Sequence, residues 1–318
     1  MAVKIPVTFI TGYLGSGKTT LVNRLLAESH GLRIAVLVNE FGAIGIDGDL
    51  ITAENTGTQV IELANGCLCC VVSGEFREAL EALSSRGDQL DHIVIEASGA
   101  ADPTSVVKAF WGSPELTRKY RLDGVVCLVD AERFLQTSQT DSVAELQAAV
   151  ADLLLLTKTD VASKALVADV KRELAELNPG VPILETQTQD RLASFLKLNA
   201  FKRPSFYSAA LRGPDHTSVS HGGLTSIAVA WDGMVSTANL QTFFQTLVGQ
   251  FGDQVVRTKA LFHIDGESSP WLVQGVQNWI ERSKGPRGYS GPNKLVILGR
   301  GFDTGALDQA IERLMKQD

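Results

Sequence analysis

Short apolar runs recur along the first two thirds of the chain, with stretches of helical periodicity between them. The runs are continuous in Val, Ile and Leu, which is typical of strands buried on both faces of a parallel sheet. The predicted strands are KIPVTFIT at 4–11, RIAVLVN at 33–39, HIVIEA at 92–97, GVVCLVD at 124–130 and ADLLLLT at 151–157. The predicted helices are TTLVNRLLAES at 19–29, EFREALEAL at 75–83 and SKALVADVKRELAEL at 163–177. This alternation predicts an α/β fold with a mainly parallel sheet and helices on both faces.

The pattern changes near residue 200, where a mixed stretch with FKRPSF, RGPDHTS and SHGG begins. Such composition predicts a linker, which we place at 201–223 between a first domain at 1–200 and a second at 224–318. The second domain is predicted to be a smaller α+β unit. Its predicted strands are 225–231, 259–264, 271–281 and 294–300, and its predicted helices are 237–251 and 303–316, the last capped by Asp303.

Composition and charge narrow the function classes. The 318 residues are 44% hydrophobic and 20% charged, with a net charge of −7. An acidic chain argues against nucleic acid or an anionic membrane as the main partner. No run approaches the ~18 apolar residues that a membrane helix needs. The N-terminal apolar run leads into GSGKTT and is interpreted as a strand, not a signal peptide, so a cytoplasmic protein is expected.

The segment GYLGSGKTT at 12–20 follows the first predicted strand and opens the first predicted helix. It fits the phosphate-loop pattern, in which backbone N–H groups surround phosphate oxygens and a helix N-terminus adds positive potential. A solvent-facing Lys18 is expected to reach the β- and γ-phosphates, and the Thr19 hydroxyl to bind Mg²⁺. The other predicted nucleotide contacts are Gly12, Leu14, Gly15, Ser16, Gly17 and Thr20.

The segment TKTD at 157–160 ends the last predicted strand of the first domain. The Asp160 carboxylate is suited to accept hydrogen bonds from guanine N1–H and N2–H₂, whereas adenine would leave it unpaired. The Lys158 stem is predicted to lie over the base. Thr157 stands where the usual guanine motif has Asn, whose side chain also supports the phosphate loop. Guanine is therefore predicted over adenine.

Two further segments are candidates to respond to the γ-phosphate. Glu96 lies at the carboxyl end of a predicted strand in HIVIEASGAADP, where it is suited to order Mg²⁺ through a water or to orient the attacking water. Gly99, three residues on, is predicted to present its N–H to the γ-phosphate. The glycine-rich loop NEFGAIGIDGD at 39–49 carries Glu40, Asp47 and Asp49. We interpret it as a switch segment that responds to the γ-phosphate and reaches metal; the alternative is a surface loop with solvated acidic side chains.

Three of the four cysteines fall within GCLCC at 66–70: Cys67, Cys69 and Cys70. Thiolates suit Zn²⁺, and also Co²⁺ in tetrahedral sites. Two or three of them can converge on a metal, with Glu40, Asp47, water or a ligand from another protein completing the shell. The alternatives are a redox Cys-x-x-Cys, a strained disulfide between neighbours, and packing. We rank metal first and assign packing to Cys127, which lies inside a predicted strand.

Together these motifs resemble the CobW-type family of P-loop GTPases, relatives of the GTPases that load metal during hydrogenase and urease maturation. The resemblance rests on GYLGSGKTT, NEFGAIGID, GCLCC, EASGAADP, TKTD and a C-terminal KLVILGRGFD, in that order. It implies GTP hydrolysis coupled to delivery of a divalent metal, Zn²⁺ or Co²⁺, to a client metalloprotein. The alternative is a zinc sensor or buffer whose nucleotide site sets conformation with little turnover. A homodimer is a further assembly that we leave open.

Overall fold

The fold is described from a computed structural model of the chain. The structure describes residues 4–28, 31–38, 59–62, 80, 81, 83, 90–186, 195, 196, 198, 200, 217–221 and 223–316. The chain divides into two compact units, Met1–Lys171 with Pro182–Asn199, and Arg172–Val181 with Ala200–Asp318. Within the described ranges, no helix is both long and apolar enough to cross a bilayer.

A sheet of seven parallel strands forms the centre of the first unit. The strands are β1 (Ile5–Gly12), β2 (Ile34–Val38), β3 (Gln59–Glu62), β4 (His92–Glu96), β5 (Tyr120–Asp130), β6 (Leu153–Thr157) and β7 (Ile183–Glu185). Their order across the sheet is β3-β2-β4-β1-β5-β6-β7. Every residue of β4 and of β6 is buried, which requires cover on both faces of the sheet.

Helices alternate with these strands and provide that cover. They are α1 (Lys18–Ala27), α2 (Pro103–Gly112), α3 (Pro114–Lys119), α4 (Phe134–Thr140), α5 (Ser142–Val150) and α6 (Lys164–Leu177). Local sequence fixes where several begin. Asp102 caps α2 ahead of Pro103, and Asp141 caps α5 by accepting from the Val143 N–H. The α/β class predicted from the alternating pattern is confirmed.

The second unit contains an antiparallel sheet of six strands. The strands are β8 (Thr217–His221), β9 (Leu224–Trp231), β10 (Val255–Phe262), β11 (Trp271–Val276), β12 (Trp279–Lys284) and β13 (Asn293–Arg300), in the order β12-β11-β10-β13-β9-β8. One apolar cluster joins alternate residues of these strands, among them Ile227, Val229 and Phe262, to helices α7 (Thr237–Phe251) and α8 (Thr304–Met315). Asp303 caps α8, as its sequence predicts, by accepting from two backbone N–H groups.

Several predicted boundaries differ from the structure; for example, β10 spans Val255–Phe262, whereas its strand was predicted at 259–264. The single strand predicted at 271–281 is a hairpin of β11 and β12, which turns at Gln277 with φ 51°. Neither Gly nor Pro occurs in this turn, so the sequence gives little indication that the chain reverses here. Strand β5 begins four residues earlier than predicted. The polar residues Arg121 and Asp123 interrupt the apolar pattern of the sequence, but in the structure they form an ion pair at 2.8 Å, which allows Asp123 to be buried within the strand. Strand β8 lies within the predicted linker at 201–223.

Candidate functional site

The phosphate loop leaves the carboxyl end of β1 and enters α1. Gly12 has φ 144°, and a Cβ placed there would fall on the Leu128 carbonyl oxygen and 2.7 Å from Ser16 Oγ. No other residue type fits that position without moving the loop. Leu14, Gly15 and Thr20 are exposed, whereas the Ser16 side chain is buried beneath the loop. The loop is therefore held from below by β5 and open above, as a phosphate cradle requires.

Lys18 is not solvent-facing, and that expectation was wrong. Its residue is 8% exposed, and its Nζ donates to the carbonyl oxygens of Gly12 at 2.7 Å and Tyr13 at 3.2 Å. The ammonium group therefore crosses the loop and binds its first two carbonyls. This position within the loop is also where a phosphate chain would lie, so the charge is available to a nucleotide.

Thr19 and Glu96 lie next to each other at the edge of the sheet. β1 and β4 are neighbours, and their register pairs Ile10 with Glu96. The Thr19 hydroxyl donates to Glu96 Oε1 at 3.0 Å, and Glu96 is only 4% exposed. A hydroxyl and a carboxylate in contact, beside a phosphate loop, are two oxygen donors of the kind that Mg²⁺ prefers. The residues present therefore fit a magnesium ion.

The segment after β4 returns to the phosphate loop. The Ala97 N–H donates to the Ile10 carbonyl at 2.9 Å, which continues the β1 pairing beyond Glu96. A Cβ on Gly99 would lie 2.9 Å from Leu14 N and Cα and 2.7 Å from Leu14 Cδ2. Only glycine lets the two backbones approach this closely. The structure thus brings Gly99, Glu96 and the phosphate loop together.

The TKTD segment begins at the end of β6, two strands from β1. The Thr157 hydroxyl lies 2.9 Å from the Ser16 carbonyl oxygen and 3.3 Å from that of Val129, with Thr157 as donor to both. The support that Asn gives the phosphate loop in the usual guanine motif is supplied here by a threonine hydroxyl. Asp160 is exposed beyond the strand end. Its carboxylate therefore stands at the same edge of the sheet as the loop.

Lys158 has a specific partner that sequence reasoning missed. Its Nζ lies 2.6 Å from Asp130 Oδ2, at the end of β5, while Asp130 Oδ1 accepts from the Glu132 N–H at 2.9 Å. The Lys158 backbone has φ 57°, which is rare for a residue other than glycine. The ion pair holds the lysine stem along the strand ends. The sequence signal was available, because Asp130 ends an apolar strand in the same way as Glu96 does.

Helix α5 supplies two more residues that the sequence did not single out. The Tyr13 hydroxyl donates to Asp141 Oδ2 at 2.7 Å, and this hydrogen bond is the main cause that raises the pKa of Tyr13. The pKa of Asp141 is lowered, chiefly by the Val143 N–H and then by Tyr13. Gln147 is fully buried and donates to the carbonyl oxygens of Gly99 and Ala101.

Cys127 lies in β5 and is 1% exposed. Burial raises the pKa of its thiol to about 12, with a smaller opposing effect from the charge of Lys18. A thiol that remains protonated at neutral pH is a poor metal ligand. These properties agree with a packing role for Cys127.

The predicted transition-metal site lies outside the described residues: Cys67, Cys69, Cys70, Glu40 and Asp47. Among the residues that the structure describes, no group of three or more His, Cys, Asp or Glu side chains is arranged to hold a metal ion. The part of the site that the structure describes is thus the predicted nucleotide-binding part, which consists of the phosphate loop, Glu96, Gly99 and the TKTD segment.

Comparison with known proteins gives matches over both units. The family model described as CobW/HypB/UreG, nucleotide-binding domain, matches residues 6–185, and the cobalamin synthesis protein cobW C-terminal domain matches residues 224–315. The zinc chaperone YjiA of Escherichia coli is 36% identical over 286 residues, 86% of each chain. The zinc-regulated GTPase metalloprotein activator 1 of Saccharomyces cerevisiae is 26% identical and covers 98% of this chain and 84% of its own.

Solved structures of the E. coli relative share the fold. A crystal structure of Zn(II)-bound YjiA GTPase superposes with a TM-score of 0.74 at 29% identity, covering 99% of this chain and 100% of that one. A Zn(II)-bound triple mutant of YjiA GTPase, with one glutamate and two cysteines replaced by alanine, gives a TM-score of 0.78 with the same identity and coverage. The similarity therefore extends over both units of the chain.

Proposed function

The chain belongs to the CobW/HypB/UreG family of P-loop GTPases, and on that premise we propose that it is a GTP-hydrolysing metallochaperone that delivers a divalent metal to a client metalloprotein. The observation that carries the proposal is the contact of Thr19 with Glu96 beside the phosphate loop. That contact joins the nucleotide-binding loop to the end of the strand that leads into the Gly99 segment. The three clustered cysteines supply a soft metal site between the same segments in sequence.

In this proposal the chain's own residues bind the triphosphate and position it. Lys18 transfers its hydrogen bonds from the loop carbonyls to the β- and γ-phosphates, where its charge stabilises the transition state. Thr19 and Glu96 would hold Mg²⁺, which neutralises the charge that develops between the phosphates when it is bound. Gly99 presents its N–H toward the terminal phosphate, and its contact with Leu14 keeps it there. Thr157 fixes the loop at Ser16.

The base is read at the end of β6. Asp160 accepts from guanine N1–H and N2–H₂, and the stem of Lys158 lies along the base plane. The ion pair of Lys158 with Asp130 favours this arrangement, because it draws the lysine head toward β5 and fixes the stem. GTP is thereby preferred over ATP.

The metal is cargo in this proposal, and the cysteine cluster carries it. Cys67, Cys69 and Cys70 provide thiolates, and Glu40, Asp47 or a ligand of the client completes the shell. An incomplete shell lets the metal exchange, whereas a structural zinc site is closed. Relatives are named zinc chaperones, so Zn²⁺ is the first cargo to test and Co²⁺ the second. Binding should weaken at acid pH because the thiols must lose their protons.

We expect replacement of Cys67, Cys69 and Cys70 by alanine to remove the tightest zinc site while GTP binding without metal stays unchanged. The measurement is competition for zinc against a chelator of known affinity, with the nucleotide-binding constants measured in parallel. Cys127→Ala is the matched control, because it removes the buried thiol that is assigned to packing. The zinc-bound triple mutant of YjiA indicates that zinc can occupy other sites on a relative, so only the tightest site counts. An unchanged tightest site in the triple variant would refute the cysteine assignment.

Turnover separates the chaperone from a zinc sensor or buffer. A chaperone that uses hydrolysis to release its cargo should hydrolyse GTP faster with zinc or with a client present. Negligible turnover with tight zinc binding would favour the sensor, in which GTP only selects a conformation. Steady-state phosphate release with and without stoichiometric zinc distinguishes the two.

A further inference from the structure

Helix α5 is attached to the phosphate loop at its first turn. Asp141 caps the helix through Oδ1, which accepts from the Val143 N–H at 2.9 Å. Its other oxygen, Oδ2, accepts from the Tyr13 hydroxyl at 2.7 Å. One carboxylate therefore fixes both the helix start and a side chain of the phosphate loop.

The same helix holds the segment after β4 through Gln147. This side chain is fully buried, and its Nε2 donates to the carbonyl oxygens of Gly99 and Ala101, each at 3.1 Å. The amide has two N–H groups, so both are used on this one segment. Buried side-chain amides that bind two carbonyls fix a backbone in place, because either carbonyl would lose its buried donor if it moved.

A third contact joins the 99–101 segment directly to the phosphate loop. Gly99 packs directly on the Leu14 backbone, with no room for a methyl group between them. The phosphate loop, the 99–101 segment and α5 thus contact one another pairwise. Gln147 donates directly to the Gly99 and Ala101 carbonyls, so its effect on the γ-phosphate position is transmitted through Gly99.

We propose that Gln147 is a positioning residue of the GTPase site, which holds the 99–101 segment against the phosphate loop so that the Gly99 N–H meets the terminal phosphate of GTP. The inference rests on the GTP-binding part of the proposed function and is independent of metal delivery. GTP carries the γ-phosphate and GDP does not. Loss of Gln147 should therefore impair the binding and hydrolysis of GTP while leaving the binding of GDP unchanged.

The test is Gln147→Met, which preserves side-chain length and helix propensity while removing both N–H donors. We expect kcat for GTP hydrolysis to fall ~10- to 100-fold, the scale that small misplacements of a reacting group produce. GDP affinity should stay unchanged, and the preference for a non-hydrolysable GTP analogue over GDP should fall. Gln139→Met, at an exposed position of α4, is the matched control and should leave all three quantities unchanged.

Unchanged kcat in the folded Gln147→Met protein would overturn the proposal. Equal weakening of GDP and the GTP analogue would also overturn it, because that result indicates only a structural role. If this variant does not fold, Gln147→Asn replaces it: the amide is kept on a side chain one methylene shorter, so its N–H groups no longer reach the Gly99 and Ala101 carbonyls and kcat should fall in the same selective way. All assays contain Mg²⁺ but neither zinc nor cobalt, and they are repeated in the triple cysteine variant. A wild-type protein without GTP turnover would instead reject the proposed function.

Discussion

Lys18→Ala is expected to lower kcat for GTP hydrolysis by ~10²- to 10³-fold, the effect of removing one preorganised donor from a charged transition state. Nucleotide affinity should fall as well, because the ammonium is the charge placed inside the phosphate loop. Its two hydrogen bonds to the Gly12 and Tyr13 carbonyls place the nitrogen across the loop. Phosphate release and GTP-analogue binding are the measurements.

The burial of Lys18 makes a folding control necessary. Removal of its ammonium leaves two loop carbonyls without that donor, at a cost of about 1–3 kcal/mol if they stay dry. Thermal unfolding of the variant is therefore measured beside its activity. Lys164→Ala, at the exposed start of α6, tests the effect of losing one positive charge elsewhere. Wild-type turnover in a folded Lys18→Ala protein would contradict the assignment of this loop to catalysis.

Asp160→Asn should exchange the base preference from guanine to xanthine. In the wild type the carboxylate accepts two hydrogen bonds, each worth at least about 1.5 kcal/mol to a charged group, so their loss should weaken GTP by ~100-fold or more. The new amide N–H₂ donates to the xanthine C2 carbonyl, so xanthosine triphosphate should gain affinity. Competition binding of GTP, ATP and xanthosine triphosphate to both proteins is the measurement.

Asp253→Asn is the control for this exchange, because Asp253 is an exposed carboxylate in the second unit. It should leave the order of the three nucleotides unchanged. A wild-type protein that prefers ATP would contradict guanine recognition by Asp160. An Asp160→Asn variant that keeps the wild-type preference for GTP would show that the base is read elsewhere.

The nucleotide-binding part of the site was largely predictable, because its functional residues lie at the ends of strands. A strand that ends in a phosphate loop and another that ends in Glu96 are visible in the apolar pattern of the sequence. The order of the strands across the sheet, however, cannot be derived from the sequence pattern. The contact of Thr19 with Glu96 exists because β4 lies beside β1, and that neighbour relation follows from the packing of the whole sheet.

Thr157 shows how a substitution in a motif can keep part of its role. From the sequence, loss of Asn implies loss of the support it gives the phosphate loop. In the structure, the shorter hydroxyl still reaches the Ser16 carbonyl. Whether a side chain at this position reaches the phosphate loop depends on the distance between the two backbone segments, and the residue type alone does not give that distance.

Gln147 and Asp141 could not be assigned from the sequence because their partners are 46 or more residues away in the chain. A single glutamine in a helix normally indicates a solvated face. The only local signal was Asp141 ahead of the apolar residues Val143, Ala144 and Leu146, which is typical of a helix start. That signal is compatible with α5, which is not among the helices predicted above, and it gives no indication of the contacts that its buried side chains make.

Metal delivery driven by GTP, as proposed above, requires as its central claim that the nucleotide controls zinc affinity at the cysteine cluster, and zinc affinity in three nucleotide states tests that claim most directly. The protein is titrated with zinc without nucleotide, with GDP and with a non-hydrolysable GTP analogue, each with Mg²⁺. We predict tighter zinc binding with the GTP analogue, by ~5- to 150-fold, and an equal tightening of the analogue by zinc, because coupling between two sites is reciprocal. Equal zinc affinity in all three states would contradict the claim.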